Sequence, residues 1–201
     1  MKDFNSIIIL ALVVVFFNSC QNDKKVERDD SAIRYRYYAL EKMGWKSKKN
    51  SQKIDHINYT ATEVPILYYL LKDNENKGQD LISVDSLYEL NKRDRIVEFE
   101  FEDEKERDLL KEDFTGLDYQ KSVSYMSFNI QQDFMVVTSS HDTIPCSGVL
   151  FERTFENPPT NKLLLFFTGI QPEQKIQLIY YDKLFKKGTL KFRFQEPILN
   201  L

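Results

Sequence analysis

Glycine and proline are scarce in this chain, six of each in 201 residues. That scarcity excludes collagen-like and low-complexity sequences, which are rich in one or both. Histidine is scarcer, with His56 and His141 the only two. The HExxH zinc helix, the GxSxG nucleophile turn, the phosphate-cradling glycine loop and paired-cysteine metal spacing are all missing. No catalytic residue, metal ligand or cofactor is therefore expected. Cysteine is limited to Cys20 and Cys146, too few for a disulfide-stapled scaffold. Neither sign of charge dominates: 28 Lys and Arg stand against 31 Asp and Glu, a formal −3. Nothing in that balance recommends nucleic acid as a partner.

What the chain does have is aromatic and apolar material. Fifteen Phe and 11 Tyr predict a packed, β-leaning fold. The one long apolar run covers residues 7–17. As a helix it spans roughly 16 Å, about half of a ~30 Å hydrocarbon core. It is too short to cross a membrane and matches the apolar region of a secretory signal. Lys2 precedes it, and small Ser19 and then Cys20 follow it.

Phe17-Asn18-Ser19-Cys20 resembles the lipobox at which bacterial lipoproteins are acylated and cut. It departs from the usual pattern, which prefers Leu first and Ala or Ser second. Polar Gln21-Asn22-Asp23 straight after the cysteine agrees with cleavage there. The resemblance implies a cleaved signal peptide at 1–19 and lipid attachment at Cys20. It also implies a membrane as partner through that anchor. Gln21, where Asp would signal retention, resembles lipoproteins passed on to the outer membrane. The acid-rich tract that sends some lipoproteins to the cell surface is matched only in part. Asp23, Glu27, Asp29 and Asp30 alternate with Lys24, Lys25 and Arg28. Residues 20–30 read as lipidated cysteine plus polar tether, with a reach of about 17 Å if flexible.

Residues 31–201 read as a single β-rich domain, its most regular β part at 123–195. Ile33, Tyr37 and Leu40 fit a helix within 31–45, while Tyr35 and Tyr37 also fit an alternating strand. Residues 46–53 read as a basic loop, a solvated charge run with contact to membrane phosphates near the anchor as the alternative. Residues 54–71 read as two strand pieces broken at Pro65, and 83–91 as a short helix. Residues 95–102 alternate cleanly, with Val97, Phe99 and Phe101 on one face and Glu98, Glu100 and Glu102 on the other. A short helix is expected over 103–113, stopping near Gly116 with Leu109 and Leu110 inward. Residues 123–130 fit a helix face or a strand, and the strand reading joins better to 134–138. Segments 134–138 and 143–152 read as a hairpin, followed by strands at 162–168, 175–181 and 189–194. Asp142-Thr143-Ile144-Pro145-Cys146, Phe151-Glu152-Arg153-Thr154-Phe155 and Leu164-Leu165-Phe166-Phe167 look like a group of bacterial lipoproteins with an immunoglobulin-like tail. That resemblance implies fold and location only. The expectation is a mainly β protein, an immunoglobulin-like antiparallel β-sandwich with a few short helices.

Four patterns invite chemistry. Ser139-Ser140-His141-Asp142 holds the residue types of a catalytic triad. Consecutive positions cannot align three side chains, and these are also turn residues. Residues 98–113 hold nine acids against Lys105, Arg107 and Lys111. A row of same-face carboxylates on a strand does not enclose a cation, so a solvated face is expected. Cys146, lacking a partner once Cys20 is acylated, reads as a small core residue. Tyr35, Tyr37, Tyr38, Trp45, Tyr59, Tyr68 and Tyr69 cluster early in the chain and offer a sugar-stacking surface or simply core. The functional expectation is a membrane-anchored, non-enzymatic binding or accessory module with an envelope protein partner. A glycan partner bound through exposed tyrosines is the alternative, and a hydrolase with a concealed site comes third.

Overall fold

The computed structural model describes residues 31–45, 48–74, 80–153 and 161–194. Cys20, the apolar run and the tether lie outside the described residues.

The organising strand is β3 (Arg95–Asp103), whose alternation puts Val97, Phe99 and Phe101 fully inside. It pairs on one side with β2 (Ile57–Val64), which pairs in turn with β1 (Asn50–Ile54). On its other side lies β7 (Asn161–Phe167), followed by β6 (Gly148–Arg153). The result is a five-stranded antiparallel sheet ordered β1-β2-β3-β7-β6. A second antiparallel sheet, ordered β5-β4-β8-β9, contains β4 (Phe134–Thr138), β5 (Thr143–Pro145), β8 (Ile176–Asp182) and β9 (Gly188–Arg193).

The two inner faces share one core. Tyr59, Phe99, Phe101 and Leu165 from the first sheet meet Phe134, Leu178, Tyr180 and Phe192 from the second. Phe99 has edge-on ring contacts with Phe134, Tyr180 and Phe192 at 5.1–5.4 Å. Such pairs add about 0.5–1.5 kcal/mol each beyond simple burial. At one side the Asn50 and Gln52 side chains donate to the Arg193 and Lys191 carbonyls, joining edge strands β1 and β9. At the other, residues 146–147 carry the chain directly from β5 into β6.

A helical layer covers part of the outer face of the first sheet. It consists of α1 (Ser31–Lys42), α2 (Ile66–Asn74) and α3 (Leu81–Asn91). Their second core joins Ile33, Leu40, Trp45, Leu67, Leu71 and Val84 to Val64 and Ile96. Asp80 caps α3 by accepting from the Ser83 amide at 2.9 Å.

Several expectations are corrected. Residues 66–71 form a helix, not a second strand piece. Pro65 sits just before its first residue, where a missing N–H costs nothing. Leu67, Tyr68 and Leu71 then share one buried face. The basic loop ends sooner than expected, because β1 begins at Asn50. Residues 119–133 are not strand. They run as α5 (Tyr119–Ser124), a π-helical turn (Tyr125–Asn129) and a 3₁₀ turn (Ile130–Asp133). Met126 and Ile130 plug the core from that segment, so regular β structure starts at Phe134 rather than 123. The helix expected over 103–113 is only α4 (Glu112–Thr115). Gly116 does end it, at φ 68, and Leu109 and Leu110 are buried as expected. The expected 134–152 hairpin stops at Pro145, and β6 belongs to the opposite sheet.

Candidate functional site

The candidate nucleophiles do not assemble. Residues 139–142 are the β4–β5 turn, closed by the Thr138 amide on the Asp142 carbonyl at 3.0 Å and the His141 amide on the Thr138 carbonyl at 2.9 Å. His141 sits at φ 69, so the backbone itself is bent here. Cys146 is buried, and its thiol donates to the Gly148 carbonyl at 3.0 Å. Burial pushes the thiol pKa up, which disfavours the reactive thiolate. His56 lies elsewhere, its Nε2 3.8 Å from Asp103 Oδ1 and its ring tilted on Phe114.

Two acids of the row on β3, Glu98 and Glu100, are met by cations and a hydroxyl, and Glu102 is exposed. Glu98 accepts from the Tyr69 hydroxyl at 2.7 Å and lies 4.0 Å from Lys162. Glu100 lies 3.8 Å from Lys49. Asp103 turns inward and is held by both ends of the Arg107 fork at 2.8 and 2.9 Å, with the Lys105 and Arg107 amides also donating to it. Arg107 chiefly, aided by those amides, holds its carboxyl down at about 2.

The early aromatics are divided between two environments. Trp45, Tyr59 and Tyr68 are buried, and Tyr37 and Tyr69 are partly so. Tyr37 stacks on Tyr68 at 5.2 Å, and their hydroxyls are 3.1 Å apart. Only Tyr35, at 78% exposure, and Tyr38, at 54%, face outward from this set. They stand at i and i+3 on α1 and do not form a seven-ring platform.

Two buried polar clusters escaped the sequence reading. In the first, Asp182 accepts from the Tyr59 hydroxyl at 2.8 Å, the Tyr180 hydroxyl at 3.1 Å and the Phe185 amide at 2.8 Å. Nearby Asp133 accepts from the Tyr125 hydroxyl and from Lys183. Burial, followed by the adjoining carboxylates, drives the Tyr59, Tyr125 and Tyr180 hydroxyls far above their ordinary pKa. They remain donors and cannot serve as bases. In the second, Arg95 pairs with Glu63 at 3.1 Å and donates to the carbonyls of Gln171, Pro172 and Gln174. Burial raises Glu63 to about 7 against the opposing pull of Arg95. One signal for both clusters was available: Arg95 and Asp103 continue the inward phase of Val97, Phe99 and Phe101, and Asp182 that of Ile176, Leu178 and Tyr180.

A groove of about 480 Å³ lies at the β4–β5 turn. Thr138, His141, Lys175 and Arg193 border it over an apolar floor of Val137, Ile176 and Phe194. Its polar groups are Lys175, Arg193, the His141 imidazole, the Thr138 and Ser139 hydroxyls and the Gln177 carboxamide, with no carboxylate among them. No group of three or more metal-ligating side chains occurs among the described residues. No described helix is long and apolar enough to cross a membrane.

No family model matches the chain. No curated protein matches it either. Among solved structures it is similar to the crystal structure of a DUF4426 family protein from Pseudomonas aeruginosa PAO1, at 10% identity and a TM-score of 0.37. The likeness covers 76% of this chain and 96% of that one.

Proposed function

We propose that this protein is a bacterial envelope lipoprotein, held by acyl chains on Cys20, whose folded domain is a non-enzymatic binding or accessory module for an envelope protein. The observation that carries the reading is the order of parts at the start: an 11-residue apolar run at 7–17, small Ser19, Cys20, then a polar stretch to Asp30. A single acyl chain binds membranes marginally, whereas several give durable attachment. The domain side adds support through its site chemistry. The serine, histidine and cysteine candidates are separated into a turn and a core. The buried carboxylates are taken up by hydroxyls, amides and cations. The outer membrane is the proposed destination, from the resemblance at Gln21.

Within this proposal the sandwich is of the immunoglobulin-like class. Supporting this, β2-β3-β7-β6 and β5-β4-β8-β9 follow the order of an ABED sheet facing a C′CFG sheet. Where antibody domains carry a disulfide between the B and F strands, Phe99 and Tyr180 meet here at 5.4 Å. The extra edge strand β1 and the helical layer are additions to that plan.

The test is replacement of Cys20 by Ser in the producing cell, followed by membrane fractionation and mass measurement of the mature N-terminus. The expected result is release from the membrane and loss of the acyl mass. A variant that stays membrane-bound and is processed like the parent sinks the reading. Crosslinking in intact cells, followed by identification of captured envelope proteins, tests the accessory role.

A further inference from the structure

We propose that the outward face of α1 rests on the lipid surface, with Tyr35, Tyr38 and Met43 at headgroup depth and Lys42 and Lys48 against anionic phosphates. The inference rests on the lipid-anchor reading and adds an orientation to it.

Three observations converge. First, α1 has two unlike stripes. Ile33 and Leu40 are buried beneath it, and Tyr37 stacks on Tyr68. Opposite them, Tyr35, Tyr38 and Lys42 stand at i, i+3 and i+7 and are exposed, with Met43 just beyond at 41%. Tyrosine suits the membrane interface because its ring is apolar and its hydroxyl stays wet. The Arg36–Asp85 ion pair to α3 and the Tyr37–Tyr68 stack fix how the stripe is aimed.

Second, charge is segregated. In residues 31–49, Arg34, Arg36, Lys42, Lys46, Lys48 and Lys49 oppose Glu41 alone, a net +5 in a chain of −3. The remainder therefore carries −8. An anionic leaflet attracts residues 31–49 more than any part of the rest of the chain.

Third, the chain length places this helix at the membrane. Ten residues separate Cys20 from Ser31, the first residue of α1. A flexible segment of that length spans about 17 Å, so α1 is the element held nearest the lipid. That span is about two Debye lengths of about 8 Å, so the tether permits contact and the cations of α1 gain from the surface potential once the face is docked.

The experiment uses the full lipidated chain reconstituted in vesicles of phosphatidylethanolamine and phosphatidylglycerol, with a nitroxide on Tyr35→Cys. A second label, on Tyr181→Cys in β8, serves as the distal control. Flotation reads the anchor, and collision with oxygen against a water-soluble nickel complex reads depth. The expected result is flotation of both, with position 35 shielded from nickel and position 181 open to it. Each of Lys42→Gln and Lys48→Gln lowers the docked-to-free ratio about fivefold at low salt. Flotation with position 35 as nickel-accessible as position 181 overturns the proposal while leaving the anchor standing. Spin–spin broadening at position 35 overturns it in favour of a second copy on that face. Failure to float overturns the anchor reading, and the orientation falls with it.

Discussion

Arg95, at the first position of β3, donates to Glu63 on β2 at 3.1 Å and to three carbonyls of the β7–β8 crossover at 2.8–3.0 Å. One buried guanidinium thus ties together the two middle strands and the loop that carries the chain from one sheet to the other. Removing one partner of such a pair leaves the other charge buried without compensation, at about 3–5 kcal/mol. Arg95→Met is expected to lose stability of that order in urea denaturation at pH 8, where Glu63 is ionised, and less at pH 5, where its carboxyl holds a proton. In a Glu63→Gln background the loss is smaller, because no charge is stranded. A wild-type-like midpoint for Arg95→Met alone contradicts this role.

Glu63 also sets a pH trend. Its carboxyl, lifted from 4.5 to about 7 by burial, binds its proton more tightly folded than unfolded. Its contribution to stability is therefore complete below about 4.5 and declines as pH rises through 7. Denaturation midpoints measured between pH 5 and 8 are expected to fall with pH, and to fall less in Glu63→Gln. Equal slopes in the two proteins would remove Glu63 from the account.

Those two residues also mark the limit of the sequence reading. Strand β3, the two-sheet plan and the inward positions of Val97, Phe99 and Phe101 were legible, because apolar alternation is a direct record of burial. Arg95 was read only as the first residue of that strand, although it keeps the inward phase. Residues 66–71 were misread because isoleucine, leucine and tyrosine serve strands and buried helices alike. Packing on the sheet's outer face decided the matter. Strand β1 escaped notice because NSQKI carries one apolar residue and is held by pairing rather than by burial. Of the functional calls, the turn at 139–142 and the buried Cys146 were legible from residue chemistry. The buried carboxylates were not, since each depends on partners distant in sequence, such as Tyr59 for Asp182.

Asp103 gives the opposite pH trend to Glu63. Arg107 and two backbone amides hold its carboxyl at about 2, below its ordinary 3.8. Its contribution is present above about 4 and is lost as pH falls through 2. Asp103→Asn is expected to lower stability at neutral pH by about 1–3 kcal/mol, the scale of lost charge-assisted hydrogen bonds. It should also make the decline between pH 4 and 2 shallower. Thermal melts across that range check both, and an unchanged acid limb contradicts the assignment.

Cys146 supplies a test that joins the fold to the N-terminal chemistry. Its thiol is 6% exposed, donates to Gly148 and has its pKa raised by burial, so three conditions oppose attack by a soluble disulfide reagent. If Cys20 is acylated, the native mature chain has no reactive thiol and the unfolded chain has one. Titration with an aromatic disulfide is expected to read zero before denaturation and one after it. Cys146→Ala should read zero in both states, at a modest stability cost because only one sulfur is removed from the core. A thiol that still appears on unfolding in Cys146→Ala is then Cys20, unacylated. A native thiol present in the parent and missing in Cys146→Ala instead shows the core opening at β5–β6. The two failures fall in different samples, so a single titration pair separates an error about lipidation from an error about burial.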